Sequence, residues 1–423
     1  MSPLPIGRER IFRAVGRGAD PATQQPMPGG NPAGAARSES ALAWDASLEG
    51  SPRMRLGLFM MPLHPPARPM HETLAEDTEK SLLADRLGFD ELWVGEHFSA
   101  TSEPIASPLM FMAGLVHRTR LAFGTGVINL PNHHPAIVAA EVAQFDHMSG
   151  GRLMLGIGAG GLASDFELFG DIAPMERGKR MLESIETIQA IWAGGPPYDI
   201  AGATWPIRLS RTVLPDYGVG FMPKPFRPGG PSVHISARQA DSYGVTVAAA
   251  RGWGVISANF VAHRILAGHW RSMAKGLAEA GRPVDGSNWR VARNMVIAAT
   301  DAEARARATA PEGATRYYYD YLGSLAKRAG LAGTMTPRED MDPMAATPED
   351  MIEACVIAGS PRTVLDRLVA LREEAGPFGH LLMPGLDWTG VNAAWEAESM
   401  RRLAEEVMPW LRQHAEATAK AAE

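Results

Sequence analysis

Residues 120–161 constrain the fold of this chain more than any other segment, because they predict a strand, a helix and a second strand in succession. The two predicted strands, 120–128 and 152–157, are apolar on successive residues, which is typical of parallel strands buried on both faces. Between them, residues 135–148 carry apolar side chains at helical spacing. Both strands end in polar or glycine-rich sequence, and parallel α/β sheets place their ligands at such ends.

The alternation of strand and helix continues from Met54 almost to the end of the chain. Strands are predicted at residues 54–60, 91–98, 120–128, 152–157, 232–237, 253–260, 288–300 and 379–385. Right-handed crossovers between parallel strands favour a closed (β/α)8 TIM barrel over an open sheet. Two stretches without regular periodicity, at about 194–231 and 332–350, are predicted insertions, and no domain break is indicated.

Helices are predicted between these strands, among them 104–117 and 391–414. One helix is predicted to begin at Asp301 and to carry the three tyrosines at 317–319. The single cysteine, Cys355, falls in an apolar stretch that is predicted to be helical. We therefore expect a buried thiol that has no catalytic role and that forms no internal disulfide.

Composition disfavours several classes of function. A formal net charge of -6 over 423 residues argues against a nucleic-acid-binding surface, and no apolar run is long enough to span a membrane. One cysteine is compatible with the reducing cytoplasm, and the apolar core of a secretory signal is missing. Residues 1–53 are rich in Pro, Gly, Ser and Ala, so we predict a disordered extension to a domain at 54–423, with Met54 as an alternative start.

Polar residues follow the second and third predicted strands. Glu96 and His97 end the second strand, and the alternation of side chains along a strand places them on opposite faces. A histidine at this end of a barrel strand can act as an acid or base, although a structural histidine bonded to a backbone carbonyl fits equally well. Residues 129–135 predict a rigid loop that lines a pocket, because two adjacent histidines cannot easily bind one metal ion.

Three further features indicate a site for an anionic ligand. The sequence GIGAGG at 156–161 resembles a dinucleotide fingerprint, but its spacing differs, and its glycines instead favour close approach of a planar ligand. Arg177 begins a helix near this turn and suits an anion, although a solvated arginine beside Glu176 fits the composition better. Ser242 precedes a helix whose first amides suit a phosphate, or it is a plain N-cap.

Seven segments together resemble one known family. In chain order they are GFDELWVGEHF, RLAFGTGVINLPNHHP, FDHMSGGRLMLGIGAG, ASDFELFG, ERGKRMLESI, MPKPFRP and GSPRTVLDRL. Residues 54–411 are similar to the bacterial-luciferase-like flavin monooxygenases, above all to the limonene- and alkanal-monooxygenase type. The resemblance implies a (β/α)8 barrel that binds reduced FMN at its C-terminal face.

The resemblance also implies roles for residues near the flavin ring. His97 matches the first histidine of the family's EHH motif, which is the catalytic acid/base, and Phe98 replaces the second histidine. Thr125 and Asn129 match residues that line the ring, and Gly158 is expected at the floor of the same site. A non-prolyl cis peptide, which is common in the family after the third strand, is expected between Gly126 and Val127.

The flavin phosphate has its own expected partners. Arg177 matches the family's phosphate-binding arginine. Ala159 stands where luciferase itself has another arginine, so the amides around Ser242 and Tyr243 are expected to contribute more.

The implied reaction is an FMNH2-dependent monooxygenation. A separate NAD(P)H:flavin reductase would supply FMNH2, and O2 would add to it as a flavin C4a-peroxide that oxidises a small, largely apolar organic substrate. The dry pocket is expected to be lined by Phe59, Met61, Trp93, Phe98 and Trp253. The family often dimerises through its early helices, so a homodimer is compatible with the resemblance.

Other functions stay open on the sequence alone. An F420-dependent oxidoreductase uses the same barrel, and a non-catalytic flavin-binding homologue would also keep it. A metal hydrolase is disfavoured, because clustered His and Asp ligands at the strand ends are missing from the pattern.

Overall fold

The structure is a computed structural model that describes residues 53–422. The predicted extension at 1–53 lies outside the described residues, apart from Arg53. Within the described part, no helix is long and apolar enough to cross a membrane.

The strands alternate with helices along the chain, as the sequence predicts. The strands are β1 (Arg55–Met60), β2 (Glu91–Val94), β3 (Ala122–Thr125), β4 (Ile128–Asn129), β5 (Leu153–Gly158), β6 (Tyr198–Ile200), β7 (Ile207–Leu209), β8 (Ser232–Ala237), β9 (Gly254–Ser257), β10 (Trp289–Ala292), β11 (Asn294–Ile297), β12 (Val356–Gly359) and β13 (His380–Pro384). The helices are α1 (Met70–Arg86), α2 (Pro108–Ala113), α3 (Pro135–Ser149), α4 (Ala163–Leu168), α5 (Pro174–Ala193), α6 (Tyr243–Ala250), α7 (Leu266–Glu279), α8 (Asp301–Thr309), α9 (Ala314–Arg328), α10 (Pro348–Cys355), α11 (Pro361–Ala375), α12 (Asn392–Arg402) and α13 (Met408–Ala422).

A closed barrel of parallel strands forms the centre of the molecule, which confirms the predicted (β/α)8 fold. Its order is β1, β2, β3, β5, β8, β9, β10 and β13, and β13 pairs again with β1. The short strand β4 continues beyond β3 and also pairs with β5. Because every strand of the barrel is parallel, all their carboxyl ends lie at one face, where barrel enzymes place their active sites.

Apolar side chains fill the barrel interior, while the outer faces of the strands pack against the helices. The interior cluster comprises Trp93, Ala122, Met154, Ile256, Ala292 and Leu382, with Phe59 packed against it. Near the amino ends of the strands, the buried Glu91 carboxylate accepts a hydrogen bond of 2.8 Å from Arg290. Burial would raise the pKa of Glu91, but the charges of Arg290 and His380 outweigh it and lower that pKa.

The prediction of one strand at 288–300 is wrong. The barrel strand β10 ends at Ala292, and β11 leaves the barrel to pair with β12. Arg293 lies at the change of direction, where its guanidinium donates to three carbonyls of residues 258–261. The helical prediction around Cys355 holds only up to that residue, because the β-branched Val356 and Ile357 begin β12. Cys355 is buried, as expected.

Several helix bounds also differ from the prediction. The helix expected at 104–117 covers only Pro108–Ala113, because Ser107 caps its first turn and Gly114 ends it. The helix expected from Asp301 is two helices, α8 and α9, which a turn at 310–313 separates. The predicted helix at 391–414 begins at Asn392, contains a π-helical segment at Leu403–Val407 and continues to Ala422.

The two predicted insertions contain short regular elements. In the first, β6 and β7 form an antiparallel hairpin. In the second, a 3₁₀ turn at Ala332–Met335 is followed by turns until α10 begins at Pro348.

Candidate active site

His97 follows the carboxyl end of β2 at the mouth of the barrel. Its Nδ1 lies 3.3 Å from Oδ2 of Asp165, and its Nε2 lies 3.6 Å from Oε2 of Glu103. The imidazole is therefore paired with carboxylates, and no backbone carbonyl of the described residues binds it, unlike the structural histidine that the sequence left open. With 12% of its side-chain surface exposed, His97 can meet a bound molecule.

Glu96 points away from His97 and has a structural role. Its carboxylate accepts the backbone N–H of Asn129 at 2.6 Å and lies 3.0 Å from Nε2 of His133. Burial lowers the pKa of His133, but the hydrogen bond to Glu96 outweighs this and raises it. Glu96 thus fixes the position of the loop that follows β4.

The turn after β3 contains the cis peptide bond that was expected between Gly126 and Val127. Thr125 is fully buried, and its hydroxyl donates to the carbonyl of Gly156 at 2.7 Å. Asn129 is also buried, and its amide donates to the carbonyl of Glu96 at 3.4 Å. Both side chains are therefore fixed before any ligand arrives, which suits a preorganised site.

The glycines of β5 have a structural reason of their own. A Cβ on Gly156 would lie 1.9 Å from the carbonyl oxygen of Thr125, and one on Gly158 would lie 2.5 Å from Cγ2 of Val127. The sequence interpretation explained these glycines by the approach of a ligand. The close approach of the preceding strand is enough to require Gly156.

Arg177 is buried in α5 against the turn at residues 159–161, called the glycine turn below, so the interpretation as a solvated arginine is wrong. Its Nε donates to the carbonyl of Ala159 at 2.6 Å, and its Nη2 donates to Oδ1 of Asn132 at 3.1 Å. The guanidinium lies 3.8 Å from the ring centre of Phe166, and burial lowers the pKa of Arg177. Its Nη1 is buried without a hydrogen-bond partner among the described residues.

A second arginine, Arg238, approaches the same turn from the end of β8. A Cβ on Gly161 would lie 3.0 Å from Nη1 of Arg238, and one on Gly160 would lie 2.5 Å from Nη2 of Arg177. No carboxylate of the described residues is paired with Arg238. Two guanidinium groups beside one glycine turn form an arrangement that suits an anion.

Ser242 and Tyr243 lie at the exposed start of α6. The Ser242 hydroxyl accepts the backbone N–H of Val245 at 3.5 Å, which is an N-cap. Tyr243 is 81% exposed. Their expected contact with a phosphate stays a prediction.

Three of the expected pocket residues lie at the carboxyl face. Phe59 and Met61 are half-buried at the end of β1. Phe98 is half-buried too, and its ring centre lies 5.0 Å from that of Phe169. The role of these three side chains as walls of a substrate pocket stays a prediction.

The other two expected pocket residues do not fit that role. Trp93 is fully buried inside the barrel, and its Nε1 donates to Glu91 at 2.7 Å. Trp253 precedes β9 and therefore lies at the amino ends of the strands, about 13 Å from the other face at ~3.3 Å per residue. The prediction that Trp253 lines the pocket is wrong. The direction of a parallel strand decides which face of the barrel its flanking residues reach, and Trp253 comes before its strand.

One group of potential metal ligands among the described residues does not include His97. Ligand atoms of His64, Glu76 and Asp387 lie within 4.8 Å of one another. However, Arg68 is paired with both Glu76 and Asp387. The carboxylates are already neutralised by a protein cation, so the group is better described as a buried ion-pair network.

Sequence reasoning missed the roles of three site residues. Asp165 is far from His97 along the chain, Glu103 lies in a loop without periodicity, and Arg238 follows a strand without any motif. Only the position of Arg238, directly after a barrel strand, was a usable signal.

Comparison with known proteins identifies the family. The sequence model described as luciferase-like monooxygenase matches residues 54–377. The chain belongs to this family and is an enzyme of that class.

Particular relatives agree with this assignment. A 4-hydroxyprotoasukamycin monooxygenase of Streptomyces nodosus subsp. asukaensis is 32% identical over 358 residues, covering 83% of this chain and 89% of that protein. The limonene 1,2-monooxygenase of Rhodococcus erythropolis is 30% identical, covering 84% and 86%. The solved oxygenating constituent of 3,6-diketocamphane monooxygenase of Pseudomonas putida, in complex with FMN, has a TM-score of 0.74 at 26% identity, covering 84% and 98%.

Proposed function

We propose that the chain is the oxygenase component of an FMNH2-dependent, two-component monooxygenase that oxidises a small, largely apolar organic substrate with O2. The observation that carries this proposal is the buried Arg177, whose Nη1 has no hydrogen-bond partner among the described residues and lies beside the glycine turn at the face that holds His97. The relatives support it, since they are named monooxygenases and one was solved with FMN.

The residues present fit a flavin mononucleotide. Nη1 of Arg177 and Nδ2 of Asn132 are buried donors without partners among the described residues, and a phosphate would satisfy both. Arg238 would add a second positive charge at the rim of the same turn. Thr125, Asn129 and Gly158 would lie along the ring system, as the resemblance implies.

Bound FMNH2 would supply the electrons with which O2 is activated for oxidation of the substrate. The protein has other tasks. The aromatic and thioether side chains of Phe59, Met61 and Phe98 would exclude water from the reacting atoms. His97 would hold and move the proton at its Nε2, because Asp165 occupies its Nδ1.

The proposal is tested with pure, flavin-free protein. We expect it to bind FMNH2, to alter the rate at which FMNH2 is reoxidised by O2, and to form an oxygenated product from at least one member of a panel of terpenes, ketones and aldehydes. The panel is needed because the substrate itself is not identified. Protein that neither binds flavin nor changes its reoxidation would refute the proposal.

The variant His97→Ala separates binding from chemistry. We expect turnover to fall at least about 100-fold, as for loss of a general acid or base, while FMN affinity stays within about threefold. A flavin-binding protein without product formation would instead favour the non-catalytic homologue. Parallel titrations with FMN and with F420 decide between the monooxygenase and the F420-dependent alternative.

A further inference from the structure

We propose that Glu103 and His97 form a proton-sharing pair, in which the Glu103 carboxyl group exchanges a proton with Nε2 of the imidazole. This inference rests on the proposed role of His97 in proton transfer. Glu103 would act through His97, so it is a positioning residue for the proton and does not itself touch the substrate.

Asp165 determines which nitrogen of His97 is available. Its ionised carboxylate can only accept hydrogen bonds, so Nδ1 of His97, at 3.3 Å, must carry a proton. The same carboxylate accepts the backbone N–H of Ser99 at 2.9 Å and that of Phe98 at 3.3 Å. Asp165 therefore fixes both the ring and the loop behind it, and leaves Nε2 as the nitrogen that gains and loses a proton.

Glu103 lies at that second nitrogen. Its Oε2 is 3.6 Å from Nε2, which is slightly too long for a hydrogen bond. Contacts of this kind are often long in ligand-free enzymes and tighten when the ligand binds. The other described residues form no hydrogen bond to the Glu103 carboxyl group, so this group can exchange a proton with His97.

The pKa values of the two carboxyl groups that flank His97 are shifted in opposite directions. Burial raises the pKa of Glu103, and the charge of Asp165 raises it further, while His97 lowers it. Burial also acts to raise the pKa of Asp165, but the hydrogen bonds from Ser99 and His97 outweigh it and lower that pKa. Two carboxyl groups with opposite shifts are typical of an acid/base assignment: one remains ionised and the other can hold a proton.

Other titratable groups face the pair. The phenols of Tyr317, Tyr318 and Tyr321, on α9, feel the charge of Glu103, and each has a raised pKa, chiefly because of burial. These phenols remain neutral near pH 7, so they do not compete for the shared proton. On the other side, Arg177 interacts with Asp165 and helps to keep that carboxylate ionised.

The proton step is balanced without any other reactant. When the proton moves from Glu103 to His97, the O–H bond at Oε2 breaks and an N–H bond at Nε2 forms. The neutral pair becomes a carboxylate and an imidazolium, whose charges compensate each other. The reverse step restores the neutral pair.

The first test is ¹⁵N NMR of histidine-labelled, flavin-free protein, with His97→Ala used to assign the signal. We expect wild-type His97 to carry its proton on Nδ1 near neutral pH, and Asp165→Asn to give a mixture of both tautomers. A wild-type ring with its proton on Nε2 would overturn the proposal. Because no flavin is present, this result does not depend on whether the proposed function is correct.

The second test compares the pH dependence of kcat in Glu103→Gln, Glu103→Asp and Glu167→Gln. Glu167 is an exposed residue of α4, so its variant is the matched control for the loss of one carboxylate. We expect Glu103→Gln to lower kcat at least about tenfold and to shift the alkaline limb of the profile to lower pH by about one unit. The aspartate variant should recover part of the loss, and the control should match wild type.

A purely structural role of Glu103 predicts a different pH dependence of kcat in these variants. Loss of such a role would lower kcat equally at every pH, with no recovery in Glu103→Asp relative to Glu103→Gln, and that outcome would overturn the proposal. The FMN dissociation constant, measured in parallel, should stay within about threefold of wild type in all three variants, because Glu103 forms no hydrogen bond or ion pair with Arg177 or Asn132 among the described residues.

Discussion

Replacing Arg177 by methionine should weaken the binding of FMN far more than that of riboflavin, since the two ligands differ only in the phosphate. The Nη1 donor of Arg177 is buried and has no partner among the described residues, so a phosphate oxygen would complete its hydrogen bonding. A hydrogen bond between charged groups contributes about 1.5–3 kcal/mol. This corresponds to a loss of about 10- to 150-fold in FMN affinity.

The same substitution also costs stability, and the assay has to separate the two effects. Methionine leaves the carbonyl of Ala159 and Oδ1 of Asn132 without the donors that they have now, at about 1–3 kcal/mol for each acceptor that stays buried. Riboflavin binding serves as the internal reference, because it reports any distortion of the ring site without the phosphate. Thermal unfolding of the flavin-free variant measures the stability cost directly.

The measurement is the ratio of the FMN and riboflavin dissociation constants, obtained by calorimetry for wild type, Arg177→Met and Arg238→Gln. Arg238 is exposed, so its removal should change the ratio only about threefold, as for a solvated ion pair. An unchanged ratio in Arg177→Met would refute the phosphate assignment. A larger effect of Arg238→Gln than of Arg177→Met would refute the reasoning from burial.

The remaining predictions concern stability. The hydrogen bond to Asp387 helps raise the pKa of His64 to about 9 in spite of burial, which acts first to lower it. Because the folded-state pKa is above the unfolded value of about 6.5, this contribution is complete below pH 6.5 and is lost as the pH rises through 9. Thermal unfolding between pH 6 and 10 should show this loss, and His64→Gln should not. Gly156→Ala should prevent stable folding, because its Cβ would lie 1.9 Å from the Thr125 carbonyl oxygen. Gly178→Ala, in open space on α5, should instead raise the free energy of unfolding by about 0.5–1 kcal/mol. Equal unfolding temperatures in the two variants would contradict the expectation for Gly156→Ala.

Local patterning was sufficient to predict most of the barrel. Parallel strands buried on both faces leave unbroken apolar runs, and the helices between them leave a 3.6-residue period, so both are visible without any tertiary contact. The errors came where a local signal was ambiguous. Residues 288–300 carry apolar side chains on both sides of Arg293 and Asn294, so the segment was interpreted as one strand. Only the pairing of β11 with β12 shows that the chain leaves the barrel after Ala292.

The sequence by itself determined the alternating fold, the placement of His97 at a strand end and the family to which the chain belongs. The tertiary structure alone decided that Asp165 and Glu103 flank His97 and that Trp253 lies at the amino ends of the strands. It also decided that Arg177 is buried with one donor that has no partner among the described residues. The physical reason is that hydrophobic periodicity is a property of neighbours along the chain. Burial, pairing of charges and the direction of a strand within the barrel depend instead on segments that meet only after folding.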